Sequence, residues 1–436
     1  MLLIAATLLG TALAARPEAA AFVDSDDGRF RCHHDADGAA LCDIVLPALQ
    51  DAWAAQVDRI GFRAPVSDGQ RGGNEAIDVY LLREGTGGAG GAYVACDGDD
   101  LSTPEETCTD SARGDGYSSD SAYIVIDPGT ESDALGGYAH HEFNHVLQYA
   151  TDFEEPFLSV WEGTAVAAEY WTDPAMVLDP GPVADYQAVP WASAVLHDGY
   201  FLDEEYDLWS YYEYGAMVWM RWLDERHFDG TGAAGPALWD AMANDPGENE
   251  PDVLDAWTEL GGDWREDMVD FAISRGRFGT EQGPAWLGEL GDSAAITTWA
   301  PLSDSGAATV TFELYPLGAG YLEVTLESGR DYWIVHDRID AYFEWGVVND
   351  PDGVFVNADR HAGINLRGPG TIRLVLVDLG HPTLDADSKK VNETSPARVD
   401  LQRDDSCASQ FGAFAALFGA AGLYRWRATR EPRRTP

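Results

Sequence analysis

The sequence predicts an α+β domain, built of a small mixed sheet and a helical lobe, followed by an all-β sandwich domain. Two observations carry this prediction. Short apolar runs at 77–82 and 123–126 are interspersed with helical patterns through the first 285 residues. From about residue 307 the chain changes to alternating strands separated by Gly, Asp and Pro turns, which is typical of a β-sandwich of roughly a hundred residues.

Five segments are predicted along the 436 residues. Residues 1–15 form an apolar run that ends in small residues, as in a secretory signal peptide, but no Lys or Arg precedes the run. The first domain covers 16–285, with an N-terminal lobe at 16–150 and a helical lobe at 151–285. The sandwich covers 290–381, a polar linker covers 382–406, and a C-terminal tail covers 407–436.

The charge of the chain argues against one class of partner. Acidic residues number 75 against 27 basic ones, which gives a formal net charge of −48. Binding to nucleic acid depends on cationic side chains that release counterions from the phosphates. A chain with this large negative charge is therefore not expected to bind nucleic acid.

Four of the five cysteines lie in two local pairs. Four cysteines allow three pairings, and the local one, Cys32 with Cys42 and Cys96 with Cys108, closes short loops in an oxidising compartment. The alternative is a second metal site, but no Cys-x-x-Cys supports it.

The segment 16–45 is predicted to be loop-like. It contains Asp35-Ala36-Asp37-Gly38, which is similar to part of a calcium loop but lacks the later Glu that would complete an EF-hand. Ca²⁺ binding therefore has no complete motif, and a solvated loop is the preferred interpretation. A helix over 46–60 is expected next, because apolar residues recur there at helical spacing up to Gly61.

The most informative stretch of the chain is residues 139–148, which contains His141-Glu142-x-x-His145. On a helix the two histidines lie about 40° apart, so both imidazoles can reach one zinc ion. Glu142 projects beside them as a general base that takes a proton from water. A separate apolar stripe at 135, 139, 143, 146 and 150 can bury the opposite face, with an N-cap expected at Ser132 or Asp133.

Glu162 is the predicted third zinc ligand. It lies on a second predicted helix, at 159–171, and the 16 residues after His145 are enough to end one helix and return. Two alternatives stay open. Ser159-x-x-Glu162 is also a capping box, in which Glu162 would reach back to the helix start, and Glu169 lies seven residues later on the same face.

These residues resemble the gluzincin metallopeptidases. The resemblance is carried by His141-Glu142-x-x-His145 and by Trp161-Glu162-Gly163-x-Ala165, and it covers roughly residues 120–225. It implies a zincin-like fold, His141, His145 and Glu162 as zinc ligands, and Glu142 as base. The chain is still more similar to secreted metallopeptidases of myxobacteria. Val166 stands where a related peptidase would carry the acid that orients a ligand histidine.

The resemblance also implies a Tyr or His that stabilises the oxyanion of the tetrahedral intermediate. Tyr214, in an apolar helix predicted over 211–223, and His197 are the candidates, although core packing is the preferred interpretation of either residue taken alone. Further helices are predicted at 235–243, 252–260 and 263–275.

The end of the chain combines Cys407, an apolar run at 411–424 and five Arg in the last twelve residues. The run is short for a bilayer span of about twenty residues. The combination is similar to the C-terminal sorting tail of myxobacteria, which implies that Cys407 becomes the attachment point at the outer cell surface. A terminal amphipathic helix of the folded protein is the alternative.

The sequence thus predicts a secreted, surface-attached zinc peptidase that acts on peptides or proteins and touches a membrane only through its tail. A catalytically inactive peptidase fold that serves as a surface binding protein is the second hypothesis. The presence of Glu142 favours the enzyme.

Overall fold

The computed structural model describes residues 16–35, 38–82, 91–96, 119–132, 134–176, 179–243, 251–327, 330–337, 342–349, 354–359, 363–380, 384 and 389–403. The predicted signal peptide, Cys108 and the whole tail with Cys407 lie outside these residues. So do residues 382–383, 385–388 and 404–406 of the predicted linker.

A five-stranded mixed sheet opens the fold. Its strands are β1 (Ala21–Asp24), β2 (Phe30–His34), β3 (Ile77–Leu81), β4 (Ala92–Cys96) and β5 (Ala122–Ile126), in the order β1-β2-β3-β5-β4. The three central strands β2, β3 and β5 are parallel, and the two edge strands are antiparallel to their neighbours.

The prediction of a loop over 16–45 was wrong, because β1, β2 and the start of the first helix lie there. All five residues of β2 are buried although three of them are Arg or His, so no alternation of apolar and polar residues marks the strand. Two of these buried polar side chains are paired with acidic residues. Arg31 bonds to Asp24 at 2.6 Å, and His33 to Asp78 at 2.7 Å.

Two helices pack on this sheet. Helix α1 (Ala39–Ala52) continues into a π-helical segment, Trp53–Ile60, which ends at Gly61 with φ 103°. Helix α2 (Leu135–Tyr149) directly follows β5 and contacts α1, β4 and β5. The predicted apolar stripe of α2 is buried throughout, and Phe143 meets Phe30 edge to face at 5.5 Å. The prediction of an N-cap at Ser132 was wrong, since α2 begins after Ala134 without a side-chain cap, and the alternative, Asp133, lies outside the described residues.

Helices follow from 158 to 275, as the prediction of a helical lobe expects. They are α3 (Leu158–Thr172), α4 (Pro180–Ala188), α5 (Gly199–Tyr206), α6 (Tyr212–Gly215), α7 (Met217–His227), α8 (Ala234–Met242), α9 (Val253–Glu259) and α10 (Trp264–Arg275). The helix predicted over 211–223 is divided into α6 and α7. Its division falls beside Gly215, where an added Cβ would lie 2.3 Å from the Pro182 carbonyl oxygen, so this backbone packs closely against α4.

Two antiparallel-rich sheets form the C-terminal part, and they share one hydrophobic core. One sheet has the order β10-β13-β8-β6 and the other β11-β12-β9-β14-β7. The strands are β6 (Ala300–Ser303), β7 (Thr309–Leu314), β8 (Ala319–Leu326), β9 (Asp331–His336), β10 (Phe343–Val347), β11 (Phe355–Asp359), β12 (Gly363–Arg367), β13 (Gly370–Asp378) and β14 (Ser395–Arg403).

The predicted boundary between sandwich and linker, at residue 381, was too early. Strand β14 lies within the predicted linker and pairs with both β7 and β9. Ala397, Val399 and Leu401 point into the core, while charged residues between them face outward. This alternation is the strand signal, and the polar residues on the exposed face concealed it.

The helices and the C-terminal sheets pack against each other. Helix α10 contacts β10 and β13, and the Tyr321 hydroxyl donates a hydrogen bond of 2.8 Å to the Ala272 carbonyl oxygen. Among the described residues, no helix is both long and apolar enough to cross a lipid bilayer.

Candidate metal centre

Three predicted ligands converge where α2 packs against α3. His141 and His145 lie one turn apart on α2, and Glu162 lies in the second turn of α3. The Nε2 atoms of the histidines are 3.0 Å apart, and Glu162 Oε2 lies 3.0 Å from His141 Nε2 and 3.5 Å from His145 Nε2. Within the described part of the chain, this is the one group of three or more His, Cys, Asp or Glu side chains whose ligand atoms all lie within 4.8 Å of one another.

These separations suit a zinc ion. Two donors bound at about 2.0–2.1 Å with a tetrahedral angle between them lie about 3.3 Å apart. The three observed separations, 3.0 to 3.5 Å, bracket that value. Two imidazoles and one carboxylate also leave the fourth position open, as catalytic zinc sites require.

The far side of His141 is held by an acid on α3. Glu169 Oε1 lies 2.7 Å from His141 Nδ1, so that nitrogen donates its proton to the carboxylate. The lone pair of His141 therefore falls on Nε2, which faces the cluster. Glu169 was weighed as an alternative ligand, but its oxygen meets the nitrogen opposite the ligand position. Glu169 therefore fixes the orientation of the His141 ring, a role for which Val166 has no polar side chain.

The far side of His145 is held by an amide. Gln148 Oε1 lies 2.6 Å from His145 Nδ1. With both Nδ1 atoms occupied, two nitrogen lone pairs and the Glu162 carboxylate face one another in a buried space. Such an electron-rich group is stable only with a cation among its members, either a proton or a metal ion.

The acid–base properties of the cluster agree with this picture. Burial alone would lower the pKa of His141, but the hydrogen bonds and charges of Glu162 and Glu169 raise it well above its ordinary value. Burial would raise the pKa of Glu162, but His145 and His141 hold it far below its usual range. The cluster therefore attracts positive charge even before any metal is considered.

The capping-box alternative for Glu162 is not formed. Helix α3 begins after Phe157 with no side-chain cap, so Ser159 is already inside the helix. The Ser159 hydroxyl donates to the His197 carbonyl oxygen. The Glu162 carboxylate turns instead to the two histidines.

Glu142, the predicted base, follows His141 on α2 and is 4% exposed. Burial raises the pKa of its carboxyl, His141 and His145 lower it, and Glu162 and Glu169 raise it again, so that the net pKa lies above the ordinary value. A raised pKa makes a carboxylate a stronger base, which suits a group that accepts a proton and returns it.

Tyr214 lies beside the cluster, with its ring 5.9 Å from that of His141. The charge of Glu162, burial, and the charges of Glu213 and Glu142 raise the pKa of its phenol, so the hydroxyl keeps its proton and can donate. Gly163 makes this placement feasible, because a Cβ there would lie only 3.1–3.2 Å from Ala216, just after α6. The small residue after Glu162 lets α6 approach α3.

The prediction of His197 as an oxyanion donor was wrong, because both of its ring nitrogens are already hydrogen-bonded to the backbone. Its Nδ1 accepts the Ser193 backbone N–H at 3.0 Å, and its Nε2 donates to the Val391 carbonyl oxygen at 3.1 Å. Neither ring nitrogen is left for a substrate. The ring packs against Phe201 and Tyr315, so it has a structural role.

The predicted disulfide between Cys32 and Cys42 is present, and it joins β2 to α1. Cys96 is also disulfide-bonded, while Cys108, its predicted partner, lies outside the described residues. The calcium-loop fragment is only partly described, because 36–37 fall outside as well.

Comparisons with protein-family models, with curated proteins and with solved structures found no match to this chain.

Proposed function

We propose that this chain is a zinc-dependent peptidase that hydrolyses peptide bonds in peptides or proteins. The observation that carries the proposal is the convergence of His141 Nε2, His145 Nε2 and Glu162 Oε2 within 3.5 Å of one another. The lone pairs of both histidines are directed inward by partners on Nδ1. A buried glutamate, Glu142, follows His141 on α2 and interacts electrostatically with His141, His145 and Glu162.

His141, His145 and Glu162 would hold the ion in this account. When bound, zinc supplies a Lewis acid that polarises the scissile carbonyl and lowers the pKa of water. The Glu142 carboxylate accepts the proton that the attacking water loses, and it later returns this proton to the leaving amine nitrogen. The protonated Tyr214 hydroxyl is suited to donate a hydrogen bond to the carbonyl oxygen as negative charge develops there.

The proposed location is outside the cell, with attachment to the outer cell surface through the tail. The Cys32–Cys42 disulfide supports an oxidising compartment. The apolar run at 1–15 and the Cys407 tail are the remaining support, and both come from the sequence alone.

The test is digestion of a peptide library by the purified protein, with and without a metal chelator. Glu142→Gln is compared with Glu225→Gln, which makes the same chemical change at an exposed position on α7. We expect cleavage that the chelator abolishes. Glu142→Gln should retain zinc and lose about 10²- to 10⁴-fold in rate, while Glu225→Gln should cleave normally.

Two results would overturn the proposal. Cleavage that persists in Glu142→Gln or in chelator would exclude this mechanism. A wild-type protein that holds zinc but cleaves no peptide in the library would favour the second hypothesis, a peptidase fold used for binding.

A further inference from the structure

Three buried side-chain amides form a chain of hydrogen bonds behind His145. Gln148 and Asn144 lie on α2, Gln56 lies in the π-helical segment, and all three are fully buried. Gln148 Nε2 donates to Asn144 Oδ1 at 3.0 Å, and Asn144 Nδ2 donates to Gln56 Oε1 at 3.0 Å. We call these three residues the amide relay. Gln148 is the member next to the metal cluster, and its Oε1 lies 2.6 Å from His145 Nδ1.

Backbone carbonyl groups at both ends fix the direction of the amide relay. Gln148 Nε2 donates to the Trp161 carbonyl oxygen at 3.0 Å, and Gln56 Nε2 donates to the His140 carbonyl oxygen at 2.9 Å. A carbonyl oxygen can only accept, so the amide nitrogen must face it in each case. Turning Gln148 over would bring two oxygens together at Trp161.

We propose that the amide relay positions His145 for metal binding by keeping its proton on Nδ1. Because Gln148 Oε1 can only accept, His145 Nδ1 must carry the hydrogen that joins them. The lone pair then falls on Nε2, the atom that faces His141 and Glu162. This inference rests on the proposed metal site but concerns the opposite side of the ring.

The choice of an amide instead of an acid has an electrostatic reason. The cluster already contains Glu142, Glu162 and Glu169, and all three are within electrostatic reach of His141. An acid behind His145 would add another negative charge to this buried space. Gln148 holds the tautomer and the ring orientation without adding charge, and its amide nitrogen is satisfied by Asn144 and by the Trp161 carbonyl oxygen.

The test measures zinc affinity of the full chain by competition with a chromophoric chelator, together with the melting temperature. Gln148→Met and Gln56→Met interrupt the relay at its two ends. The matched control is Gln187→Met, because Gln187 is an equally buried glutamine with three hydrogen bonds, to Arg275 and Ala294, outside the relay. Replacing zinc with Co²⁺ adds a visible spectrum that reports ligand geometry.

We expect the wild-type chain to bind one zinc ion. Gln148→Met should lose about 10- to 100-fold in zinc affinity and alter the Co²⁺ spectrum. Gln56→Met should lose less, and Gln187→Met should lower the melting temperature without changing affinity. If Gln148→Met fails to fold, Gln56→Met decides the matter against the same control.

Equal zinc affinity in the relay variants and the control would overturn the role of the relay while leaving the metal site intact. Absence of zinc binding by the wild-type chain would overturn the proposed function itself. The two failures are therefore distinguishable.

Discussion

His197 should make the stability of the fold depend on pH, because the fold requires its ring to be neutral. Nδ1 accepts from the Ser193 backbone N–H and Nε2 donates to the Val391 carbonyl oxygen. A second proton would have to displace the Ser193 contact in a side chain that is 3% exposed. Burial lowers the pKa of His197 to about 4, and the bond to Val391 opposes this only in part.

The sign of the effect follows from proton uptake by the two states. The pKa of a histidine in an unfolded chain is about 6.5. Between pH 6.5 and about 4 the unfolded state binds more protons than the folded state, so the free energy of unfolding falls as the pH falls through that range. A pKa difference of about 2.5 corresponds to about 3 kcal/mol at the acid end.

The assay compares urea unfolding of the wild-type protein and of His197→Asn at pH 7.5 and pH 4.0, followed by tryptophan fluorescence. Asn keeps an acceptor for the Ser193 N–H and does not titrate. Because both proteins share every carboxylate, the difference between them isolates His197. The advantage of the wild type should shrink by about 3 kcal/mol on acidification. An advantage that is the same at both pH values would refute the reasoning.

Three further predictions concern the metal centre. Glu169→Leu removes the carboxylate that accepts the His141 Nδ1 proton, and it should lower zinc affinity about 10- to 100-fold in chelator competition. Glu169→Gln keeps an acceptor and should lose less affinity. Zinc affinities of both variants equal to that of the wild type would count against an orienting role for Glu169. Tyr214→Phe should lower kcat about 10²-fold with unchanged zinc content, and full activity would remove Tyr214 from the mechanism. Gly163→Val should displace the segment that carries Tyr214. The variant should therefore lose more in kcat, measured by steady-state kinetics, than in zinc affinity. An unaltered kcat would contradict this.

The sequence was sufficient to predict the elements that carry the three ligand candidates. His141 and His145 fall on one helical face because their spacing is four, and the apolar stripe on the opposite face required α2 to be buried. The following helix was predicted within one residue of α3, which runs from Leu158 to Thr172. Both inferences depend on short-range periodicity, which is visible in any single chain.

The residues that orient the ligands could not be predicted in the same way. Glu169 shares a face with Glu162, but only the packing of α3 on α2 decides that its oxygen meets His141 Nδ1 instead of the ion. Gln148 looks like an ordinary polar residue near a helix end. Its amide nitrogen donates to Asn144, which in turn donates to Gln56, 88 positions before Asn144 in the chain, and no local pattern records that second contact.

Polar residues in buried strands caused the other errors. Arg31, His33 and His34 in β2 made the first sheet look like a loop. In β14, the charged residues Arg398 and Asp400, which alternate with buried apolar residues, made a strand look like part of a linker. In both cases pairing with distant strands stabilised the segment, and that pairing is a property of the tertiary fold.

The central claim is that one zinc ion is held by His141, His145 and Glu162. Anomalous diffraction at the zinc absorption edge from a crystal grown with zinc tests it most directly. We predict a single strong peak about 2.0–2.2 Å from His141 Nε2, His145 Nε2 and a Glu162 carboxylate oxygen. A fully folded protein with no peak there, or with its only peak at other residues, would contradict the account.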